Sequence, residues 1–363
     1  SNNYANPTYG GSQNDIKIPE EYEKENSKEI CLKEVHYIKH QGDLNNLSTQ
    51  CQIIEGSIII NDFEDPILDF GVINTISGDL KISNVSNLVR VIAPHLNTIK
   101  RSFLLYELTS LTSVSFPNLK SVDTINWKIL PILSTISFDS GIDYIRNIII
   151  SDTSLVGFNL KDNVKELNIL NINNNRFLES ITTNVKYITE ELAISANARN
   201  VMAYFPRLQW ANNITIRDTM SIDISNIESV NASVGFIENN FQSLKVPKLK
   251  NVGGTLSIIE NFNLNDAEFP SVVDIGGGLM IVNNTGISKI NFFPKLSTIG
   301  GAIQFFGNFK DASLNKLKLV KGSAIIKSNS NQFDCTKWVG VEENTSVIRG
   351  GRIDCTAGSK NEV

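Results

Sequence analysis

Three carboxylates recur at regular spacing in the second half of the chain: Asp218, Glu238 and Glu260 are 20 and 22 residues apart. If the chain winds once per interval, the charges stack, and a shared proton, a Ca²⁺ ion or a catalytic pair could relieve their repulsion. That arrangement would suit a β-helical polysaccharide hydrolase or lyase. The simpler interpretation is that all three face water at a turn, with Arg217 nearby. We favour it because neighbouring repeats supply no column of His, Lys or Arg to complete a site.

Other catalytic and metal-binding patterns are weak. The Gly-x-Ser-x-Gly signature is absent, and the histidines His36, His40 and His95 all lie near the N-terminus. His36 and His40 follow Cys31, but their spacing matches no zinc signature, and residues 35–38 have the pattern of a strand. The sequence therefore predicts no catalytic residue, no cofactor and no metal site.

The elements that position these side chains come from an internal repeat of about 22 residues. We call each copy a rung and its first residue the rung start. Intervals between rung starts run from 20 to 24 residues, which is too regular for loops joining independent elements and indicates a solenoid. The 13 rung starts are Gly56, Gly78, Arg101, Asp123, Arg146, Asn168, Glu190, Asn212, Ala232, Gly254, Gly277, Gly301 and Gly322.

Each rung contains one short strand and two further apolar columns. In the second rung, Leu80 and Ile82 are the inward strand positions, and Leu88 and Val91 begin the other columns. One rung cannot fold alone, and stacking buries these side chains at roughly 1.5–3 kcal/mol each. Strands rich in Ile and Val, without long 3.6-residue periodicity, predict an all-β solenoid of about 13 rungs.

A column of asparagines falls seven residues after the rung start in the C-terminal half. Stacked Asn side chains can satisfy backbone groups that each turn leaves unpaired, so we interpret the column as a structural ladder. Its members are Asn175, Asn197, Asn239, Asn261, Asn284, Asn308 and Asn329.

Four cysteines flank the repeat: Cys31 and Cys51 precede it, and Cys335 and Cys355 follow it, each pair 20 residues apart. Three connectivities are possible, and we favour one local bridge in each cap, worth about 3 kcal/mol for a loop of this length. The predicted organisation is a flexible polar arm (1–28), an N-terminal cap (29–55), the solenoid (56–330), a C-terminal cap (331–356) and the start of a linker (357–363).

Composition and modification signals favour an exported protein. A net charge of −5 and the lack of a Lys/Arg stripe argue against nucleic-acid binding, and no apolar run is long enough to span a membrane. Ser1 shows no signal-peptide pattern, so either signal cleavage precedes it or the export sequence has been removed. Six sequons predict glycosylation, at Asn46, Asn84, Asn213, Asn231, Asn283 and Asn344.

An apolar stripe is predicted on the outer face. Five residues after the rung start, four consecutive rungs place Ile237, Ile259, Val282 and Phe306, with Met280 beside them, where most other rungs have a polar residue. Such a stripe suits a partner surface or a homodimer contact, unless another part of the chain covers it.

Several segments resemble the fungal GPI-anchored cell-wall family that includes sporulation-specific spore-wall proteins. They are residues 171–176 (NINNNR), 210–218 (WANNITIRD), 230–237 (VNASVGFI), 276–278 (GGG) and 282–285 (VNNT), and the resemblance covers about residues 31–355. It implies a right-handed parallel β-helix of leucine-rich-repeat-like rungs, similar to receptor L-domains. It also implies a role in organising the cell or spore wall, a GPI anchor beyond this chain and no enzymatic activity.

Two classes of function follow. We predict a secreted, non-enzymatic wall glycoprotein that serves as a rigid scaffold at the cell surface or in the spore wall. Its predicted partners are β-glucan or wall proteins. The alternative is the polysaccharide hydrolase or lyase, using Asp218, Glu238 and Glu260.

Overall fold

The computed structural model describes residues 28–138, 140–160, 163–339 and 346–358. It is an all-β parallel solenoid of about 13 turns, as the repeat predicts. Nearly all of the predicted arm, most of the predicted linker and the sequon at Asn344 lie outside the described residues. The chain divides into two compact units, whose described residues fall within 28–185 and 196–198 for the N-terminal unit, and within 186–195 and 199–358 for the C-terminal unit.

The N-terminal unit has two short helices and a series of parallel strands. In its main sheet the pairing order is β1, β3, β6, β8, β10, β12 and β14. The elements are α1 (Glu29–Leu32), β1 (Val35–Tyr37), α2 (Gln41–Gln50), β2 (Ile53–Ile54), β3 (Ser57–Ile60), β4 (Ile67–Asp69), β5 (Thr75–Ile76), β6 (Leu80–Ser83), β7 (Arg90–Ile92), β8 (Thr98–Tyr106), β9 (Ser113–Ser115), β10 (Ser121–Leu130), β11 (Thr135–Ser137), β12 (Asn147–Thr153), β13 (Gly157–Leu160), β14 (Glu166–Asn173) and β15 (Ser180–Thr183).

The C-terminal unit repeats the same plan with shorter strands. Its main-sheet order is β16, β19, β22, β25, β28, β31, β34 and β35. The elements are β16 (Tyr187–Ser195), β17 (Met202–Tyr204), β18 (Trp210–Ala211), β19 (Ile214–Arg217), β20 (Ser221–Asp223), β21 (Ser229–Val230), β22 (Val234–Ile237), β23 (Ser243–Lys245), β24 (Asn251–Val252), β25 (Leu256–Ile259), β26 (Asp266–Glu268), β27 (Asp274–Ile275), β28 (Leu279–Val282), β29 (Lys289–Ile290), β30 (Thr298–Ile299), β31 (Ile303–Gly307), β32 (Asp311–Ala312), β33 (Leu319–Val320), β34 (Ala324–Ser328), a 3₁₀ helix (Cys335–Lys337) and β35 (Ile353–Ala357).

Parallel pairing one turn apart places like residues above one another. Leu256 pairs with Leu279 and Ile258 with Ile281, and all four side chains are buried. The pairing register therefore turns the period-2 pattern of each strand into continuous apolar columns inside each unit.

Both disulfides have the predicted local connectivity, Cys31–Cys51 and Cys335–Cys355. The segments around them also extend the parallel sheet, because β1 pairs with β3 and β35 pairs with β34. At the N-terminal end α2 buries Leu44 and Leu47. Each end of the repeat is therefore closed by a bridge and an added strand.

A left-handed residue lies at or next to the end of the strand at the same point of ten consecutive turns, six residues after the rung start. We call these residues the left-handed column; they include every described non-glycine residue with positive φ. The conformation is uncommon outside glycine and lets the chain turn sharply out of the strand. The column consists of Asn84, Glu107, Ile129, Asp152, Asn174, Ala196, Asp218, Glu238, Glu260 and Asn283.

The side chain of the residue that follows each left-handed residue is directed inward. We call these following residues the inner-corner column. In the N-terminal unit it begins with Val85, Leu108 and Leu130, all buried. It then becomes polar: Thr153 donates from its N–H and Oγ1 to Asn175 Oδ1, and Asn175 donates from N and Nδ2 to Asn197 Oδ1.

The C-terminal unit builds a second ladder of the same kind. Thr219 donates twice to Asn239 Oδ1, Asn239 twice to Asn261 Oδ1, and Asn261 twice to Asn284 Oδ1, at 2.9–3.0 Å. Nδ2 of Asn261 also donates to the carbonyl of Phe236 in the preceding turn. The ladder thus satisfies backbone groups inside the unit, as expected from the sequence.

The prediction made from the sequence spacing is wrong for the last two members of the ladder. Asn308 and Asn329 are exposed, and they bond to each other through Nδ2 and Oδ1 at 3.0 Å. The reason is that β31 and β34 continue for five residues, through Gly307 and Ser328, without a left-handed residue. The chain therefore does not turn where the period predicts.

Candidate functional site

The acidic column consists of turn residues. Asp218, Glu238 and Glu260 have φ of 59°, 54° and 55° and belong to the left-handed column, where other turns hold Asn, Ala, Ile, Glu or Asp. Their position is therefore a property of the backbone corner. Both acidic and neutral side chains occupy it.

The surroundings of these carboxylates favour the simpler interpretation. Arg217 Nη1 lies 3.7 Å from Glu238 Oε1, with both side chains about half exposed, so this ion pair is screened by water. Glu238 is exposed, and Asp218 and Glu260 are partly exposed. No group of three or more His, Cys, Asp or Glu side chains in the described part of the chain could hold a metal ion.

The N-terminal metal alternative is wrong, because Cys31 is joined to Cys51 and cannot act as a thiolate ligand. His36 instead belongs to the core. Its side chain is 6% exposed, and its Nε2 has no hydrogen-bond partner among the described residues. Burial, followed by the positive charge of Lys33, lowers the pKa of His36 below its ordinary value of 6.5.

The predicted apolar stripe forms a continuous band on the C-terminal unit. Strand register places Ile237 beside Ile259, Ile259 beside Val282, and Val282 beside Phe306. All are half-buried, as is Met280. Two cations border the band: Arg217 pairs with Ile237, and Lys327 Nζ lies 5.4 Å from the Phe306 ring centroid. Its role as a partner surface stays a prediction.

A polar groove that the sequence reasoning missed lies in the N-terminal unit. It has a volume of about 450 Å³ and is lined by stacked side chains of Gln52, Asn74, Asn97 and Lys120, with His95 at the side. Backbone bonds stack these residues directly, because Asn74 N–H donates to Gln52 O and Asn97 N–H to Asn74 O. We call this the N-terminal groove.

The C-terminal unit has a matching groove at the same point of its turns. This C-terminal groove, of about 360 Å³, is lined by Lys186, Gln209 and Glu228, with Arg207 and Lys248 at the side. The signal in the sequence is the recurrence of polar residues three or four positions before successive rung starts. It becomes visible only once the rungs are aligned.

The described sequons lie in different environments. Asn46, Asn84, Asn231 and Asn283 are exposed. Asn213 is half-buried, and its Oδ1 accepts from Ser233 N at 3.1 Å. Occupancy of these sites stays a prediction. No helix in the described ranges has the length and apolar character needed to cross a membrane.

Comparison with known proteins identifies the family. The chain is 44% identical over 333 residues to sporulation-specific protein 22 of Saccharomyces cerevisiae, covering 92% of this chain and 72% of that protein. The chain belongs to a family of fungal cell-wall and spore-wall proteins.

Other members of the family are similar over most of their length. The cell wall mannoprotein PST1 of Saccharomyces cerevisiae is 37% identical over 88% of this chain and 71% of its own length. The cell surface GPI-anchored protein ECM33 of Candida albicans is 30% identical over 84% of this chain and 74% of its own length. No family model matches the chain.

Proposed function

We propose that this protein organises a fungal wall, and specifically the spore wall, as a non-enzymatic scaffold that binds wall polysaccharide. The observation that carries the proposal is the pair of polar grooves at the same point of the turns in both units. Their amide and cationic side chains suit the hydroxyl groups of a neutral glycan. Stacked rungs repeat such groups every 4.7–4.9 Å, a spacing comparable to the length of a sugar unit.

The relatives support the setting of this activity. One is named as sporulation-specific, another as a cell-wall mannoprotein and a third as GPI-anchored at the cell surface. We extend these properties to this chain as a secreted glycoprotein, anchored through GPI and glycosylated at exposed sequons. Deglycosylation of the exported protein should lower its mass, and a smaller loss of mass in the Asn84→Gln and Asn231→Gln variants would identify those two sites.

Binding should be measured with the purified protein on insoluble β-glucan, chitosan and mannan. The double variants His95→Ala/Asn97→Ala and Arg207→Ala/Lys248→Ala remove side chains from one groove each and should weaken glycan retention. Lys81→Ala/Lys128→Ala removes two cations from the strand face outside the grooves and serves as the matched control. Equal retention of all variants, or no retention of the wild type on any of the three polymers, would contradict the proposal.

A protein partner or a second copy of the chain is a separate candidate, favoured by the apolar stripe. Ile259→Ser/Phe306→Ser removes two apolar side chains from it and should reduce self-association or incorporation into the wall without unfolding the chain. Sedimentation of the purified variant and its recovery from wall fractions test this role. Unchanged values for both would exclude it.

A further inference from the structure

The second sheet of the N-terminal unit is interrupted. Strands β4, β7, β9 and β11 pair in that order, whereas β13 pairs with β15, and β11 and β13 lie in different sheets although they belong to consecutive turns. The main sheet is continuous at the same level, because β10 pairs with β12. The interruption is therefore confined to one wall of the unit.

A cavity of about 400 Å³ opens at this interruption. Its lining includes Ile125 and Ile148 of the main sheet, Ile136 of β11, Phe138 just after β11 and Phe158 of β13. This volume falls within the roughly 300–1,000 Å³ range of small-molecule pockets, and the lining has their mostly apolar character.

The exposure of two side chains indicates that apolar cover is missing. In the preceding turn, Val114 and Phe116 are fully buried. Ile136 pairs in register with Val114, and Phe138 holds the position that corresponds to Phe116, yet both are only half-buried. An apolar ligand in the cavity would remove this surface from water, as the next turn does elsewhere.

The polar part of the lining restricts the ligand. Asn159, Ser180 and Thr182 lie on the outward side of β13 and β15, and no described residue of the lining is charged. A peptide strand inserted between β11 and β13 could pair with their edges, but its backbone would find no hydrogen-bond partner in the apolar interior lined by Ile125 and Ile148. A ligand with an apolar chain and an uncharged, hydroxyl-bearing head fits both parts of the lining.

We propose that this cavity binds a neutral single-chain lipid. The acyl chain packs against Ile136, Phe138 and Phe158, and the hydroxyl groups of the head bond with Asn159 and Thr182. The bound chain supplies the apolar cover that the unpaired strands do not provide. Binding at this site is independent of glycan binding in the polar grooves.

The test uses 1-decanoylglycerol, kept below its critical micelle concentration, titrated into the full chain by calorimetry. We expect saturable binding with one site, weaker binding of decanoate, whose carboxylate meets no cation among the described lining residues, and none of glycerol. Ile136→Trp fills the cavity and should abolish binding. Thr135→Trp adds the same side chain at the neighbouring exposed position and should bind like the wild type.

A second measurement does not depend on the folding of the cavity variant. The Trp127 ring lies 6.1 Å from the Phe138 ring, so a brominated acyl chain in the cavity should quench Trp127 fluorescence in a Trp210→Phe/Trp338→Phe protein. Absence of both quenching and heat, equal binding by Ile136→Trp when that variant is folded, or preference for an apolar peptide over the lipid would overturn the proposal.

Discussion

Residues 85–130 and residues 219–284 build the same backbone corner with different side chains. In both regions a left-handed residue lies at or next to the end of the strand and the next side chain points inward. That side chain is Val85, Leu108 or Leu130 in the first region, whereas the second holds the ladder from Thr219 to Asn284. The corner is therefore compatible with apolar packing or with buried hydrogen bonds, and the two solutions should respond differently to substitution.

The ladder should be the more sensitive region. Asn261→Leu leaves Asn239 N and Nδ2 without their acceptor and the Phe236 carbonyl without its Nδ2 donor, all in the interior. At about 1–3 kcal/mol for each buried group left unpaired, we expect a loss of about 3–5 kcal/mol in the free energy of unfolding. Chemical denaturation measures it.

Two controls sharpen that prediction. Asn263→Leu makes the same change at an exposed position and should alter stability by about 0.5 kcal/mol or less. Replacing the whole C-terminal ladder with Val and Leu should cost less than the sum of the single changes. The full replacement leaves only backbone groups such as Asn239 N and the Phe236 carbonyl unpaired, whereas each single change also leaves a neighbouring Asn side chain without its partner. Additive losses would show that the ladder does not act as a network.

The reverse substitution tests the apolar corner. Leu108→Asn places an amide between Val85 and Leu130, which offer no side-chain partner, and removes a buried apolar group. We expect a loss of about 2–4 kcal/mol in denaturant unfolding. Leu108→Met, which nearly conserves volume, should cost less than about 1.5 kcal/mol. A polar side chain tolerated at Leu108 would mean that backbone groups there can complete an amide's bonds.

The N-terminal region also holds a buried polar side chain outside any ladder, His36, whose pKa is lowered by burial and by Lys33. His36 binds a proton less readily in the folded state than in the unfolded state. The protein therefore has its full free energy of unfolding above the ordinary His36 pKa of 6.5, and it loses part of that free energy as the pH falls below 6.5. The free energy of unfolding should fall by up to about 1.4 kcal/mol per pH unit in that range.

This pH dependence should be smaller in His36→Phe, as measured by denaturation at several pH values. His95→Gln removes an exposed histidine and should leave the dependence unchanged. The same slope in wild type and His36→Phe would assign the pH dependence to other groups.

The smallest expected effect lies in the left-handed column. Ile129 has φ of 60°, a strained conformation for a β-branched side chain, whereas Asn adopts it more readily. Relief of this strain in Ile129→Asn should raise the free energy of unfolding by about 1 kcal/mol, and any loss of apolar contacts made by Ile129 should reduce that gain. Glu238 occupies the same corner but is not β-branched, so Glu238→Asn should raise the thermal unfolding temperature by less than Ile129→Asn does. Destabilisation by both substitutions would mean that the column side chains make contacts worth more than the strain.

Much of the fold could be predicted from the sequence because it depends on one period. Inward pairs such as Leu256 and Ile258, and the two 20-residue cysteine intervals, determine strands and bridges that the structure confirms. The left-handed corners leave no such signal, since Glu, Ile, Ala and Asn all occupy them. The interruption between β11 and β13 was also hidden, because the rung interval from Asp123 to Arg146 is an ordinary 23 residues.

The candidate site was less predictable for a related reason. The spacing of Asp218, Glu238 and Glu260 predicts a column, but chemistry depends on backbone conformation and exposure, which spacing does not specify. The polar grooves join side chains from successive turns, such as Gln52 and Asn74, whose neighbours along the chain are unremarkable.

We propose that the carboxylate column turns the chain and performs no catalysis. The most direct test is release of soluble sugar from β-glucan by the wild type and by the variant Asp218→Asn/Glu238→Gln/Glu260→Gln. We predict that neither releases sugar above background, while both bind glucan equally and the variant is at least as stable, because stacked like charges are removed. Sugar release by the wild type that disappears in the triple variant would contradict this claim and make the column an active site.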